Sequence, residues 1–260
     1  MNNEVALSAS LVLYQNDPDI VSAAVTSLLN TPLNIYLFVV DNSPLPSLAP
    51  LLRSFNVDYY HNQGQNTGFG KAHNLALKKV KRCNYHLVLN PDVYFGSHVI
   101  PELISYLEEH QDIGLISPKI CFPDGETQYL CKRYPSLLLL FSRRFIPQRL
   151  QFLFKKRMDY YEMRETGYNQ VMDVPYLSGC FMLFRRNHLD KIGYFDENIF
   201  LYLEDADITL RMSKEFRAVF YPQVHIFHYW AKGAYKSTKL ALVTIQSAIY
   251  LFNKHGWKIL

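Results

Sequence analysis

The sequence predicts a Rossmann-like α/β fold, and three observations support this prediction. Apolar runs of strand length occupy residues 6–14, 35–40 and 85–89. Segments whose apolar residues recur at helical spacing lie between these runs. Polar residues follow each run, at the strand end where open α/β sheets bind ligands. With 260 residues, 49% of them hydrophobic, the chain is long enough to bury one sizeable core.

The first predicted strand, helix and strand form a βαβ unit. Asp17 and Pro18 supply a helix N-cap and a first-turn proline after the first apolar run. Apolar residues then follow at helical spacing, namely Ile20, Val21, Ala24, Val25, Leu28 and Leu29. The strand at residues 35–40 ends at Asp41-Asn42-Ser43, and prolines follow at positions 44, 46 and 50.

A further helix and strand continue the alternation. The segment Asn66-Thr67-Gly68-Phe69-Gly70 opens a helix whose apolar residues are Ala72, Leu75, Ala76 and Val80. The strand at residues 85–89 ends in Asn90-Pro91-Asp92. Because polar residues recur at successive strand ends, the first part of the chain is predicted to be a nucleotide-binding domain.

The second half of the chain alternates less regularly. We expect an apolar segment at residues 176–185, a short strand at 218–221 that stops before Pro222, and a docked terminal helix at 237–254. We therefore expect one main domain over residues 1–230 and a helical extension over residues 231–260.

Several classes of protein are disfavoured by the sequence. The start at Met1-Asn2-Asn3-Glu4 lacks the features of a secretory signal, which predicts a cytoplasmic location. The four cysteines lack the spacing of a zinc site or a redox pair. No apolar run approaches the roughly 20 residues of a membrane-spanning helix.

Three carboxylates stand close together between apolar residues in the run Glu204-Asp205-Ala206-Asp207. Burying each of them costs free energy, so a cluster of this kind favours acid/base chemistry. The alternative is a solvated helix N-terminus, where negative charge is favoured by the helix dipole.

Residues 132–160 mix basic and bulky apolar side chains, and no acidic residue lies between Glu126 and Asp159. The basic residues are Lys132, Arg133, Arg143, Arg144, Arg149, Lys155, Lys156 and Arg157. This mixture is typical of a segment that dips into an anionic leaflet, and the net charge of +4 agrees with it. An ordinary insertion packed on the domain is the alternative, whereas nucleic-acid binding is disfavoured because no known nucleic-acid motif is present.

Five motifs, taken in order, resemble those of family 2 glycosyltransferases, and are most similar to the bacterial rhamnosyltransferase-like branch. They are Asp41-Asn42-Ser43, Asn66-Thr67-Gly68-Phe69-Gly70 with Asn74, Asn90-Pro91-Asp92, residues 178–183, and the acidic run with Arg211. The resemblance covers residues 6–230. It implies a GT-A fold with a mixed central sheet, a nucleotide-diphosphate sugar donor, a divalent metal, and inversion at the anomeric carbon.

The resemblance also implies donor-binding roles. Asp41 would accept hydrogen bonds from the nucleoside, although an Asx-turn that leaves the strand is an alternative. Gly68 and Gly70 would let the backbone approach the donor, and Asn66 and Asn74 would hold it through their amides. The glycine pair completes neither a dinucleotide fingerprint nor a Walker A motif, so hydride transfer and ATP hydrolysis are disfavoured.

The metal site is implied by Asn90-Pro91-Asp92, which stands where the family usually has Asp-x-Asp. Asp92 would bind Mn²⁺ or Mg²⁺ as well as the donor, and Asn90 in place of the first carboxylate makes strict metal dependence uncertain. A histidine after the last core strand often completes this site. His228 is the first candidate and His225 the second, while a packed histidine is the alternative for either.

Asp205 is the implied catalytic base, and Arg133, Glu204 and Arg211 would lie on the acceptor side. The predicted reaction is transfer of a sugar, rhamnose from dTDP-rhamnose as the best guess, to a bacterial surface polysaccharide or its polyprenyl-linked precursor. The predicted place is the cytoplasmic face of the inner membrane. Two alternatives are a non-catalytic binding subunit of an assembly complex and a nucleotidyltransferase, although residues 14–17 lack the glycine-rich loop of the latter.

Overall fold

The first βαβ unit has the predicted form in a computed structural model, which describes residues 5–80, 83–137, 139, 152, 154–229 and 238–258. Strand β1 (Val5–Leu13) leads into helix α1 (Pro18–Leu29), which leads into strand β2 (Ile35–Asp41). The Asp17 side chain accepts hydrogen bonds from the backbone N–H groups of Asp19 and Ile20, so the predicted N-cap is confirmed.

The remaining elements follow in chain order. The strands are β3 (Asp58–His61), β4 (Cys83–Leu89), β5 (Val93–Phe95), β6 (Ile113–Cys121), β7 (Met172–Asp173), β8 (Phe181–Arg185) and β9 (Arg217–His228). The helices are α2 (Ala49–Ser54), α3 (Phe69–Lys79), α4 (Val99–Glu109), α5 (Lys155–Tyr161), α6 (Arg186–Ile192), α7 (Glu204–Met212) and α8 (Thr238–His255), with a 3-10 turn at Arg164–Thr166.

The strands form one mixed sheet in the order β3-β2-β1-β4-β8-β6-β9-β5, and β7 pairs with β9. The pairs β1–β2, β1–β4, β2–β3 and β6–β9 are parallel. Strand β8 runs antiparallel to both β4 and β6, and β5 and β7 run antiparallel to β9. The mixed central sheet expected from the resemblance is therefore confirmed.

Helices cover both faces of this sheet. The buried side chains of α1, α2 and α4 pack on one face, against Leu7, Ala9 and Leu11 of β1. Helix α3 packs on the other face through Ala72 and Ala76. The alternation of apolar and polar residues along β1 explains the division, because successive side chains of a strand point to opposite faces.

A buried polar chain lies under α3, on the face of β1 that carries Ser8 and Ser10. The Ser10 hydroxyl contacts His73 Nδ1 at 2.7 Å and His86 Nε2 at 2.9 Å, and the Ser8 hydroxyl contacts His86 Nδ1 at 2.7 Å. Burial lowers the pKa of His73 to about 3, so this histidine is neutral. These bonds fix α3 on the sheet.

One strand is longer than predicted. The sequence prediction ended it before Pro222, but β9 continues to His228. Its register against β6 shifts after Tyr221, which pairs with Pro118, and pairing resumes at His225 opposite Lys119. The proline has no N–H to donate, and the irregularity accommodates it without ending the strand. The prediction was wrong because it treated Pro222 as a terminator.

The terminal helix α8 packs on the rest of the chain through Ala248, Leu251 and Phe252, which contact Tyr176 and Leu203. None of the helices within the described ranges is long and apolar enough to cross a membrane. Residues 138, 140–151 and 153 of the predicted basic insertion, which include Arg143, Arg144 and Arg149, lie outside the described residues.

Candidate active site

The predicted motifs meet at the carboxyl edge of the sheet, defined here as the segments that follow β1, β2 and β4. The backbone N–H of Asn42 donates to the carbonyl of Leu13 at 2.9 Å, and that of Asn62 donates to Asp41 at 2.9 Å. The Asn62 amide also donates to Asn42 Oδ1 at 3.1 Å. These bonds tie together the ends of β1, β2 and β3.

Asp41 lies at the end of β2 and is almost fully buried. Its Oδ1 accepts from the backbone N–H of Ser43 at 2.9 Å, and its Oδ2 accepts from the Tyr59 hydroxyl at 2.7 Å. Burial, followed by this bond to Asp41, raises the pKa of Tyr59. The Asx-turn that the sequence left open is therefore present, and a contact between Asp41 and a nucleoside stays a prediction.

The Gly68 loop is locked to the segment that precedes the acidic run. Asn66 is exposed, and its Oδ1 accepts from the N–H of Gly68 at 3.0 Å. Gly68 has φ +85°, and a Cβ there would overlap the carbonyl oxygen of Phe200. The N–H of Phe69 donates to that same oxygen at 3.0 Å. Glycine is required here by the contact with Phe200.

Gly70 and Asn74 also face protein in this structure. A Cβ at Gly70 would lie 2.8 Å from the Cβ of Phe195. Asn74 is buried, its Nδ2 donates to the carbonyl of Phe195 at 2.9 Å, and its Oδ1 accepts from the N–H of Phe195 at 3.0 Å. Asn74 thereby clamps the backbone of Phe195, which is 121 residues away in the chain, and its contact with the donor stays a prediction.

Asp205 lies in the first turn of α7 and is half-buried. Its Oδ2 accepts from the N–H of Gly179 at 2.9 Å, and its Oδ1 accepts from the N–H of Ala206 at 2.9 Å. Burial, with the charge of Asp205 next, raises the pKa of the Tyr176 hydroxyl well above its usual range. These donors hold the carboxylate in one orientation.

The backbone before this helix is strained. Tyr202 and Leu203 have φ of 67° and 69°, in the left-handed region that residues other than glycine rarely adopt. Two such residues in succession turn the chain so that α7 begins at Glu204 and Asp205 enters the first helical turn. Strain of this kind is concentrated at functional sites.

Glu204 differs from its neighbour Asp205. It is buried, and its Oε2 has no hydrogen-bond partner among the described residues. Burial, followed by the charge of Asp205, raises the pKa of Glu204 well above its usual range. Glu204 therefore holds its proton more readily than an ordinary glutamate, whereas the pKa of Asp207 in the same helical turn is lowered.

Arg211 and Arg133, both predicted on the acceptor side, are engaged with protein groups. Arg211 donates to Asp207 Oδ2 at 2.9 Å and to the carbonyls of residues 192, 193 and 194. Arg133 pairs with Glu165, donates to the carbonyl of Tyr160, and lies over the Tyr160 ring. Both arginines therefore bind groups of the protein itself in this structure. Their contacts are explained by this structural role, and no acceptor is needed to explain them.

Asp92 and His228 lie together at the sheet edge. The N–H of Tyr229 donates to the carbonyl of Asp92 at 3.0 Å, and His228 Nε2 lies 3.4 Å from Asp92 Oδ2. Gln128 fixes the tautomer of this histidine. The Gln128 Nε2 donates to the carbonyl of His228 at 2.7 Å, so its Oε1 accepts from His228 Nδ1 at 2.9 Å.

The proton of His228 therefore sits on Nδ1, and the lone pair of Nε2 faces a carboxylate oxygen. His228 Nε2 and Asp92 Oδ2 are then two acceptors that face each other, and a cation shared between them would stabilise this arrangement. Within the described residues, no group of three or more His, Cys, Asp or Glu side chains is placed to hold a metal. His225 is exposed, and its ring contacts Phe227.

Cys180 connects the two carboxylates that the sequence singled out. Its carbonyl accepts from the N–H of Asn90 at 2.9 Å, and the preceding Gly179 donates to Asp205. Burial raises the pKa of the Cys180 thiol to about 12, and the charges of Asp92 and Asp205 both contribute in the same direction. The backbone of residues 179 and 180 therefore connects Asp205 to the segment that carries Asp92.

Sequence reasoning missed Tyr176 and Gln128. Gln128 lies 100 residues from His228, and its neighbours in the chain form no motif. Tyr176 stands near the quoted Ser178-Gly179 pair, and its place before that motif was a usable signal. Gln128 orients His228, a predicted site residue, through two hydrogen bonds.

The mixed sheet, with carboxylates gathered at the carboxyl edge of its parallel half, defines a glycosyltransferase of the GT-A fold. The model of the family "Glycosyl transferase family 2" matches residues 11–193. The chain belongs to glycosyltransferase family 2.

Two curated relatives are rhamnosyltransferases. The N-acetylglucosaminyl-diphospho-decaprenol L-rhamnosyltransferase of Mycobacterium tuberculosis is 27% identical over 212 residues, which are 75% of this chain and 67% of the relative. Rhamnosyltransferase WbbL of Escherichia coli K12 is 27% identical over 62% of this chain and 61% of its own length.

Solved structures share the fold at low identity. GalNAc-T7, solved with UDP, GalNAc and Mn²⁺, has a TM-score of 0.70 at 13% identity, over 96% of this chain. The mannosyltransferase PcManGT of Pyrobaculum calidifontis, with GDP-Man and Mn²⁺, has a TM-score of 0.64 at 15% identity, over 97% of this chain. This chain spans 48% of the GalNAc-T7 chain and 64% of PcManGT.

Proposed function

We propose that the protein is an inverting glycosyltransferase that moves a sugar from a nucleotide-diphosphate donor to a hydroxyl of a bacterial surface polysaccharide or its lipid-linked precursor. The observation that carries the proposal is the position of Asp205. Its carboxylate is held by the N–H of Gly179, and the carbonyl of the next residue, Cys180, accepts from the N–H of Asn90, two residues before Asp92. Asp205, as a proton acceptor, and Asp92, as a group suited to the diphosphate, thereby share one site.

Asp205 acts as the general base in this proposal. It takes the proton of the acceptor hydroxyl while that oxygen bonds to the anomeric carbon, from the face opposite the diphosphate. The bond from that carbon to the diphosphate oxygen breaks, and the diphosphate carries away the electron pair. No second carboxylate is required as a nucleophile, and Glu204 is not suited to be one because it is buried and its pKa is raised.

Asp92 and His228 fit a divalent metal, Mn²⁺ or Mg²⁺. The fit rests on the chemistry of the donors, because a carboxylate oxygen faces an imidazole nitrogen whose tautomer Gln128 has fixed. Such an ion, when bound, neutralises charge on the leaving diphosphate. The protein would supply these two side chains, with Gln128 keeping the imidazole in its ligating orientation.

The nucleoside is proposed to lie along the carboxyl edge beside Asp41, Asn66 and the Gly68 loop. This edge is where open α/β sheets bind nucleotides. Because the loop is tied to Phe200, donor and acceptor regions are mechanically linked. In this proposal Asn66, which is exposed, contacts the donor directly, while Gly68, Gly70 and Asn74 set the shape of the loop.

Rhamnose from dTDP-rhamnose is our proposed donor, and a polyprenyl-linked glycan our proposed acceptor. Support comes from the names of the mycobacterial and E. coli relatives, which are rhamnosyltransferases, and from the decaprenol in the first name. We propose that an enzyme with a lipid-linked acceptor and a nucleotide-sugar donor works peripherally on the cytoplasmic face of the inner membrane.

A panel assay tests the proposal. Release of nucleoside diphosphate is measured for several nucleotide sugars, dTDP-rhamnose first, with and without a crude lipid-glycan acceptor. We expect acceptor-dependent release from one donor and its loss on chelation. Donor binding by calorimetry without release from any donor would contradict the catalytic proposal and favour a binding subunit.

A further inference from the structure

An apolar stripe runs along the outward side of α8. Leu242, Ile245 and Ile249 are 63%, 40% and 45% exposed. At 100° per residue these three positions fall within one narrow arc of the helix, and the opposite side carries the buried Leu251. Because α8 already packs on the protein through its buried side, the stripe is a second apolar surface.

The sequence around the stripe is basic, and an aromatic side chain lies at its end. Residues 216–260 contain no aspartate or glutamate and have lysines at positions 232, 236, 239, 254 and 258, of which Lys254 is paired with Asp196 and Asp207. Trp257, just past the helix, is 52% exposed and packs on Phe252. The exposed Leu137, at the start of the predicted basic insertion, donates its N–H to the carbonyl of Lys258 at 2.8 Å.

Helix α8 is anchored to the helix that carries Asp205. Asp207 of α7 is fully buried and accepts from Lys254 at 2.8 Å and from His255 at 2.7 Å. Asp196 accepts from Lys254 at 2.6 Å and from the Tyr250 hydroxyl at 3.0 Å. The distance between the stripe and the base is therefore set by short polar contacts.

We propose that the stripe and Trp257 form a docking surface for an anionic lipid bilayer, on which α8 lies parallel to the membrane plane. The surface combines exposed apolar side chains, a tryptophan at its end, and a flanking sequence with cations and no acid, which are the features of an interfacial helix. It rests on the proposed function in one respect: docking presents a lipid-linked acceptor to Asp205.

A second copy of this chain fits the surface less well. Three side chains supply far less than the roughly 800 Å² that each partner buries in a stable complex. Two copies would also bring together two acid-free, lysine-rich segments. Anionic lipid headgroups complement the same charges.

Flotation with vesicles tests the docking surface without any substrate. The full chain is mixed with vesicles of phosphatidylglycerol and phosphatidylcholine, and separately with pure phosphatidylcholine. We expect binding to the anionic vesicles, and at least a roughly 10-fold weaker binding for the triple variant Leu242→Ser, Ile245→Ser, Ile249→Ser, since each buried methylene contributes to partitioning. Leu45→Ser removes a 74% exposed leucine after β2 and should bind like the unmodified protein.

The single variant Leu242→Asp guards against misfolding of the triple variant, because it changes only a highly exposed position and places an acid against the anionic surface. It too should lose binding while its melting temperature stays unchanged. Equal binding of all variants, no binding of the unmodified protein, or a dimer that the triple variant abolishes would overturn the proposal. Turnover of a water-soluble acceptor should survive in the triple variant, so loss of docking and loss of the proposed reaction are separable.

Discussion

At the scale of single residues, the tautomer of His228 is fixed by a residue outside every recognised motif. Gln128 Oε1 accepts a hydrogen bond from the Nδ1–H group of His228, and Nε2 of the same ring faces Asp92. Partners that orient a ligating histidine in this way commonly contribute 10- to 100-fold in metal affinity. Asn90 stands where this motif usually has its first carboxylate, so the contribution of Gln128 to metal affinity is more important here.

Replacing Gln128 by leucine should weaken Mn²⁺ binding by about 10- to 100-fold, because the imidazole loses its fixed orientation and tautomer. Titration calorimetry with nucleoside diphosphate present measures the affinity. His225→Ala changes an exposed histidine on the same strand and should leave the affinity unchanged. An unaltered affinity in Gln128→Leu would show that His228 does not act as a ligand.

The adjacent acids Glu204 and Asp205 are expected to differ in protonation. The raised pKa of Glu204 means that the folded state holds a proton that the unfolded chain releases above its ordinary pKa. Its contribution to stability is therefore full below about pH 4.5 and declines as the pH rises toward its folded pKa.

Glu204→Gln should remove this decline, because glutamine does not titrate. The free energy of unfolding of the variant, relative to that of the unmodified protein, should rise by about 1 kcal/mol or more between pH 5 and pH 8. Urea denaturation at the two pH values measures it. Parallel pH profiles for the two proteins would mean that Glu204 ionises normally.

At the scale of elements, Gly68 joins the loop that precedes α3 to the segment that precedes α7. Gly68→Ala would combine an unfavourable φ with an overlap against Phe200, whereas Gly125, at φ +91°, has open space around its missing Cβ. We expect Gly125→Ala to cost about 1 kcal/mol and Gly68→Ala more than about 3 kcal/mol. Denaturant unfolding compares them, and equal costs would contradict the close contact.

The junction of α7 and α8 depends on one buried carboxylate. Burial alone would raise the pKa of Asp207, but Arg211, Lys254 and His255 outweigh it and hold the pKa below its usual range. A carboxylate whose pKa is lowered by folding stabilises the folded protein above about pH 4. This stabilisation is lost as the pH falls through the pKa of the carboxylate in the folded state.

Asp207→Asn should therefore cost about 3 kcal/mol at pH 7, because it leaves buried cations without their counterion, and less below pH 4. Asp190→Asn breaks another Asp–Arg pair four residues apart, but its aspartate is half-exposed, so its cost should stay under about 1 kcal/mol. Thermal unfolding across pH 3 to 8 measures both. Similar costs for the two variants would contradict the buried anchor.

At the scale of the whole molecule, the sequence predicted the first strands well, together with the edge at which they end. Strand β2 ends within one residue of the prediction, and the Asp17 cap is present, because both follow from local periodicity and capping. The mixed sheet was predicted from the family resemblance, because periodicity alone does not reveal it. The strand β6 and the helix α4 were not predicted, and prolines at 118 and 101 obscure their patterns.

The contacts that assemble the site were beyond local patterns. Asn74 binds Phe195 across 121 residues, and Gln128 binds His228 across 100. Such pairs leave no periodic trace in a single sequence, so Asn74 was interpreted as a ligand contact and Gln128 was missed. The roles of Asp92 and Asp205 stay predictions, and they could be proposed from sequence because a carboxylate at a strand end or helix start is informative by itself.

The central claim is that Asp205 is the base of an acceptor-dependent transfer. Its most direct test is the rate of nucleoside diphosphate release by Asp205→Asn beside that of the unmodified protein, with the donor that the panel identifies and its acceptor. We predict a rate lowered by about 10²- to 10⁴-fold, with the donor dissociation constant from calorimetry unchanged within about twofold. Turnover by Asp205→Asn at the rate of the unmodified protein would contradict the claim.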